Sequence, residues 1–437
     1  MTTVHDLVGV GIGPFNLSLA ALGDRVPGFD AVFLDENSEF SWHPGLLIEG
    51  TTLQVPFLAD LVTMTDPTSP WSFLAYLKAH DRLFPFYFAE DFHIPRSEYS
   101  HYCRWVAENL PSCRFGTRVA AVGWNAAHEA FEVEYEHVRT ARRERLLARD
   151  VVLGVGTAPV VPSAFDEVAG KEVFHASSYL DKRESLREAE DITVIGSGQS
   201  GAEVFLDLLR RQEETGWNLR WLTRSPAFAP MEYSKLGLEH FTPDYTEYFH
   251  GLDQSTKDSL VPRQWQLYKA SSADVLAEIH DCLYRRNIGG ARTGAELMPN
   301  VAVTGARRDR DGISLSCHQV EQDRGFPVTT DRVVLATGYA AEQPDCLDPL
   351  DGLIDRDEHG RYQVSADYRV ALDSSVGGRL YVQNAEMHTH GVGAPDLGLG
   401  AHRAARILNS LTGSEIYQLP RTTSFTTFGA DPQRGGP

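Results

Sequence analysis

Two strand-like apolar runs, Asp6-Leu7-Val8-Gly9-Val10 and Asp191-Ile192-Thr193-Val194-Ile195, each break at a glycine-rich turn. Each turn leads into a stretch whose apolar residues recur with helical period, Leu17 to Leu22 and Ala202 to Leu209. Strand, tight glycine turn, helix is the opening of a dinucleotide-binding βαβ unit. Two further apolar runs end in glycine, Val151 to Gly156 and Val333 to Gly338. The polar stretch 134–150 predicts a hairpin and solvated surface. Between Met231 and Arg286 the pattern turns helical, with Leu267, Val275, Ile279 and Leu283 suitably spaced.

The order of these signals predicts an α/β fold of two Rossmann-like domains with a smaller helical lobe. One nucleotide domain takes residues 1–165 and 330–425. The other, inserted, takes 166–230 and 287–329, beside a lobe over 231–286. Thr, Gly and Pro dominate from about Thr422, and 426–437 reads as a disordered tail.

The first turn reads Gly11-Ile12-Gly13-Pro14-Phe15-Asn16. Gly11 permits the tight turn, and Gly13 lets backbone approach a pyrophosphate at the helix N-terminus. Asn16 stands where the third glycine is usual. Asp35 ends the next apolar run, about two dozen residues on, where a carboxylate accepts ribose hydroxyls. The second turn, Gly196-Ser197-Gly198-Gln199-Ser200-Gly201, carries the whole fingerprint. Its next strand ends at Arg224 rather than an acid, which suits the 2′-phosphate of NADPH. Two dinucleotides in one chain imply hydride passing from a nicotinamide to a flavin.

Composition removes other classes. The 437 residues carry a formal net charge of −20, which argues against nucleic-acid binding. No apolar run approaches the ~18 residues that span a bilayer. The five cysteines are scattered without metal-type spacing, so no metal is expected and cytoplasmic thiols are the plain reading. A disulfide reductase needs a close redox pair, and Cys103 and Cys113 have nine residues between them. A Baeyer–Villiger enzyme needs an FxGxxxHxxxW/P-type stretch, which Phe174 to Tyr179 lacks. A nucleotide sensor without chemistry has nothing specific in its favour.

Several motifs stand in a fixed order along the chain: Gly11-x-Gly13-Pro14-x-Asn16, Phe40-Ser41-Trp42-His43 and Leu53-Gln54. Phe57-Leu58-Ala59-Asp60-Leu61, Pro95-Arg96-x-Glu98, Ala336-Thr337-Gly338-Tyr339 and His390-Gly391 follow. In this the chain resembles the flavin-dependent N-hydroxylating monooxygenases of hydroxamate siderophore synthesis, the lysine and ornithine N-hydroxylases. The resemblance makes Asn16 normal and implies FAD at the first turn and NADPH at the second. It places Trp42, His43 and Gln54 beside the flavin, with Thr337 and Gly338 also at the cofactor. It implies that NADPH reduces FAD, that O2 adds as a C4a-hydroperoxide, and that a substrate amine takes the distal oxygen. No acid–base residue is required. It also implies a homo-oligomer, often a tetramer. The attacking amine must be neutral, yet with a pKa of ~10.4 only about one alkylamine in 2500 is neutral at pH 7.

Ala59 departs from the family, whose amino-acid hydroxylases read FLKDL and use the Lys on the substrate carboxylate. A carboxylate buried there unpaired costs about 3–5 kcal/mol. Leu238, before Glu239, replaces an Asn of the ornithine enzymes, and Gly398 replaces a Ser. Three losses at one end of the substrate predict that the amino-acid head group is missing. The expected substrate is therefore a diamine, cadaverine or putrescine, with Glu239 or Asp396 meeting the far ammonium. The alternative is L-lysine or L-ornithine, with Lys235 or His240 replacing the lost cation.

Overall fold

The computed structural model describes residues 3–430. Two parallel sheets organise it, one around each glycine turn. The first runs in the order Arg369–Val370, Arg379–Val382, Arg143–Leu153, Val4–Val10, Ala31–Leu34, Cys113–Arg114. All its neighbours are parallel except the edge strand Arg369–Val370. Arg143–Leu153 also closes an antiparallel meander with Thr117–Asn125 and Ala130–His137. Leu7, Val8, Val151 and Val152 are wholly buried, as strands covered on both faces require.

The second sheet runs Ala295–Met298, Asn218–Leu222, Asp191–Ile195, Arg332–Leu335, Val173–His175, parallel throughout. The domain boundary expected at residue 330 therefore moves. Val333, Val334 and Leu335 fill an interior strand position in the second sheet and are fully buried there. The chain leaves this unit through Tyr339–Ala340, which pairs with Ala158–Pro159. One face of the second sheet carries the helix Gln199–Thr215, ended by Gly216 at φ +75°. The three-stranded sheet Val301–Asp309, Gly312–Gln319, Arg324–Thr330 covers the other.

The lobe is smaller than 231–286. Helix Ala273–Arg286, capped by Ser272 Oγ on the Val275 N–H, packs Ile279, Val275 and Leu283 into the second unit's core. The lobe proper gathers Gly237–Phe241, Pro243–His250, Gln254–Arg263 and Trp265–Tyr268 around Tyr245, Phe249, Leu267 and Val392. The predicted disordered tail is corrected in part. Residues 426–430 are placed, with Phe428 packed on the lobe, and 431–437 lie outside the described residues. No helix among the described residues is long and apolar enough to cross a membrane.

Candidate active site

Gly11 adopts φ +86°, and a Cβ on it would lie 2.6 Å from the Gly154 carbonyl oxygen. The turns ending Val4–Val10 and Arg143–Leu153 thus touch. Gly13 precedes helix Pro14–Gly23 in extended conformation, and Pro14 takes the first helical position, where its missing N–H costs nothing. The first-turn amides that follow have no intrahelical acceptor, which is what a pyrophosphate needs. Asn16 is fully buried. Its Nδ2 donates to the carbonyls of Val10 (3.1 Å) and Gly11 (2.8 Å), and its Oδ1 accepts from Gln383 Nε2 at 2.7 Å. A Cβ on Gly154 would come within 2.3 Å of Asn16 Cγ. The glycine lost at position 16 is thus matched by one at 154, which makes room for the asparagine. Asp35 is half-buried beside the turn and accepts the Ile12 N–H at 2.7 Å.

Trp42 meets Tyr99 edge-on at 5.0 Å. His43, at φ +48°, faces Trp42 (5.1 Å) and Tyr339 (5.8 Å). A Cβ on Gly45 would lie 1.9 Å from the Ser177 carbonyl oxygen, so this loop lies flush against the second unit. Thr337 Oγ1 donates to the Val160 carbonyl, and the Gly338 carbonyl accepts the Val160 N–H at 3.0 Å. Both residues knit the crossing between the units.

At the second turn Gly196 has φ +113°, and its Cβ would meet the Ala336 carbonyl oxygen at 2.2 Å. Trp221 Nε1 donates to the Gly196 carbonyl at 2.8 Å. Gly198 ends the turn and Ser200 sits in the first turn of Gln199–Thr215, which has no side-chain cap and so presents free amides. Arg224 is exposed beyond strand Asn218–Leu222, with no ion-pair partner among the described residues. Both turns fit a dinucleotide pyrophosphate.

A polar network ties Gln54 and Arg96 to the second turn. Gln54 Nε2 donates to Gln199 Oε1 at 3.1 Å, and Gln199 Nε2 donates to Glu203 Oε1 at 2.7 Å. Arg96 Nη1 pairs with Glu203 Oε2 at 2.8 Å, with side chains 12% and 2% exposed. Burial raises the Glu203 carboxyl and the Arg96 charge opposes this. The sequence shows Arg96 only within the motif Pro95-Arg96-x-Glu98, with no role attached, and does not single out Glu203. The available signal was a cation at the start of helix Arg96–Asn109, where the helix dipole disfavours it and an outside partner must compensate.

The expected substrate residues divide. Ala59 is buried, on a loop that Asp60 folds by accepting from the Val62 N–H (2.9 Å), Thr63 N–H (2.6 Å), Phe73 N–H (2.7 Å) and Thr63 Oγ1 (2.6 Å). A Cβ on Gly398 would lie 3.9 Å from Ala59 Cβ and 2.8 Å from Asp396 Oδ1. Gly398 therefore neighbours both Ala59 and Asp396. Burial raises the Asp396 carboxyl to about 6, against the Gly398 N–H and the Arg403 charge. Glu239 is engaged elsewhere. It accepts the N–H groups of Phe425 (2.9 Å) and Thr426 (2.8 Å). Leu238 is exposed on the same turn. Of the residues that would rescue an amino-acid substrate, Lys235 is exposed. His240 packs against Tyr245 (4.5 Å) and Phe428 (5.7 Å). No metal-holding cluster of His, Cys, Asp or Glu occurs among the described residues.

Residues 3–341 match the family described as L-lysine 6-monooxygenase/L-ornithine 5-monooxygenase. The chain is 41% identical to a putrescine N-hydroxylase of Shewanella oneidensis over 426 residues, covering 98% of this chain and 84% of that protein. It is 44% identical to the rhizobactin siderophore biosynthesis protein RhbE of Rhizobium meliloti, over 100% and 97% of the two. The crystal structure of DfoA of Erwinia amylovora, a desferrioxamine-pathway cadaverine monooxygenase bound to FAD, superposes with a TM-score of 0.95. That similarity has 39% identity and covers 98% and 99% of the chains.

Proposed function

The chain belongs to the L-lysine 6-monooxygenase/L-ornithine 5-monooxygenase family, and from that premise we propose that it hydroxylates one nitrogen of an aliphatic diamine, putrescine or cadaverine. It is an FAD- and NADPH-dependent N-hydroxylating monooxygenase. FAD, when bound, would supply the redox and oxygen-transfer chemistry, with NADPH as reductant, O2 as oxidant and its second oxygen leaving as water. The protein binds, orients and keeps water out. The turn at Gly11, Gly13 and Asn16, with Asp35, would hold FAD. The turn at Gly196, Gly198 and Ser200, with Arg224 for the 2′-phosphate, would hold NADPH.

One observation carries the choice of amine. Where the amino-acid hydroxylases place a cation, this chain has the Ala59 methyl, and the Gly398 that neighbours it also neighbours a carboxylate, Asp396. That is the sign of charge an ammonium needs and a carboxylate avoids. Asp396 holds the unreacting ammonium. At the other end of the substrate, desolvation against the flavin disfavours a second charge and keeps the reacting amine neutral. The product enters hydroxamate siderophore synthesis. The enzyme acts in the cytoplasm as a homo-oligomer, and the exposed Phe84, Tyr87 and Phe88 offer apolar surface for subunit contact.

The test is hydroxylamine formation, not NADPH oxidation alone, across putrescine, cadaverine, L-lysine and L-ornithine. A diamine is the expected best substrate. Clear preference for an amino acid overturns the choice of amine.

A further inference from the structure

Residues 423–429 lie across the lobe elements Gly237–Phe241 and Pro243–His250, and two carboxylates of the lobe accept donors from this segment. Asp244 Oδ2 accepts the N–H groups of Thr423 (2.9 Å) and Ser424 (3.1 Å) and the Ser424 hydroxyl (3.0 Å). The Asp244 N–H donates back to Thr423 Oγ1 at 3.1 Å. Glu239 takes the next two amides, Phe425 at 2.9 Å on Oε1 and Thr426 at 2.8 Å on Oε2, together with the Thr426 hydroxyl. Four successive amides thus end on two carboxylates, and each such bond is charge-assisted. Phe428 then enters the lobe core against Tyr245 (4.9 Å) and Tyr248 (6.1 Å).

The far side of the same helix abuts the substrate loop. Val392 shares the lobe core. A Cβ on Gly391 would lie 3.0 Å from the Phe249 ring, and one on Gly393 would lie 3.7 Å from Thr246 Oγ1. Three residues further on, that loop reaches Asp396. Contacts therefore run without a gap from the C-terminal segment, through Pro243–His250, to the loop that carries Asp396 and Gly398 against Ala59.

We propose that residues 423–429 are a strap, with Glu239 and Asp244 as positioning residues, that holds the lobe on the 391–398 loop and so sets amine affinity. The inference rests on the proposed role of the Ala59–Asp396–Gly398 end in gripping the amine. Glu239 therefore acts on the substrate through the strap and the lobe, and touches no amine itself. The second nucleotide turn meets the lobe through another element, a Cβ on Gly198 lying 3.2 Å from the Lys269 carbonyl oxygen and Ser271 Oγ donating to the Ser197 carbonyl at 2.8 Å. The strap itself bonds to Glu239 and Asp244 and to neither turn, so loosening it should weaken amine binding far more than flavin reduction.

The experiment compares FAD-loaded full-length protein with a Glu239→Gln/Asp244→Asn double variant, Phe428→Ala, and a chain ending at Arg421. Hydroxylamine initial rates are measured against putrescine and cadaverine, and flavin reduction by NADPH is followed in single turnover. The double variant and the shortened chain should raise the amine KM about tenfold or more, with kcat and flavin reduction within about twofold. Glu239→Gln alone keeps an acceptor and should fall between. If the shortened chain does not fold, the point variants decide, their FAD content and melting point being read on the same samples. An unchanged KM in folded variants, or equal losses in KM and flavin reduction, overturns the strap. Wild-type activity on L-lysine and not on diamines overturns the substrate reading alone. The strap is then judged by the KM for L-lysine.

Discussion

Replacing Asp396 by Asn removes one charge and little else. The Asn side-chain oxygen can still accept the Gly398 N–H that Asp396 Oδ1 accepts at 2.8 Å, so the turn Leu397–Leu399 keeps its cap. With its carboxyl raised to about 6, Asp396 is mostly ionised at pH 7. An ammonium ~4 Å from a carboxylate at an effective dielectric of ~20 gains about 4 kcal/mol. Desolvating the ammonium takes back part of this, which leaves the ~1.5–3 kcal/mol of a hydrogen bond to a charged group. The diamine KM should therefore rise about ten- to a hundredfold, with flavin reduction by NADPH unchanged. The assay pairs each diamine with pentylamine, which has the reacting nitrogen and no second ammonium. Its KM should hardly move. If pentylamine and the diamines weaken together, or the diamine KM changes less than about threefold, Asp396 does not hold the second ammonium.

Three further outcomes follow from the same geometry. Burial raises the Asp396 carboxyl to about 6, so the charged form that binds is present above that pH and lost below it. Diamine KM should accordingly rise about tenfold from pH 7 to pH 5, while turnover climbs from pH 7 towards 9 as the free amine appears; a flat KM refutes the first part. Arg224→Ala should raise the KM for NADPH about tenfold or more and leave NADH use almost unchanged, because only NADPH has the 2′-phosphate; equal changes for both would remove Arg224 from the site. Asn16→Ala leaves Gln383 Nε2 and the Gly11 carbonyl without their partner, at about 1–3 kcal/mol for each buried orphan, while the Val10 carbonyl keeps the Gly154 N–H at 2.8 Å. A lower melting temperature with faster FAD loss is expected, and an unchanged one refutes the bracing role.

Local constraints were legible in the chain. Gly11 and Gly196 sit at positive φ against another backbone, and only glycine fits there, so the turn chemistry is written into the residue. Arg224 at a strand end and Ala59 in place of a lysine were equally visible, because each is one residue whose charge, or lack of it, matters. Arg332–Leu335 was misplaced because a short apolar strand reads the same in either parallel sheet, and only its neighbours tell which. The tail failed for a related reason. Thr, Gly and Pro look unstructured by composition, yet the order of 423–429 comes from backbone amides meeting Asp244 and Glu239, and backbone donors leave no trace in residue type.

The sequence by itself determined two nucleotide turns, the preference for a 2′-phosphate and the absence of a cation at position 59. These are properties of single residues or of neighbours within one turn. Only the tertiary structure decided that Gly398 and its carboxylate neighbour Asp396 come to Ala59, that Glu239 is held by the C-terminal segment, and that Arg96 pairs with Glu203. Each of those is a contact between residues more than a hundred positions apart. Their meeting depends on how sheets, lobe and loops pack, and a side chain's type says what partner it needs without saying which one it finds.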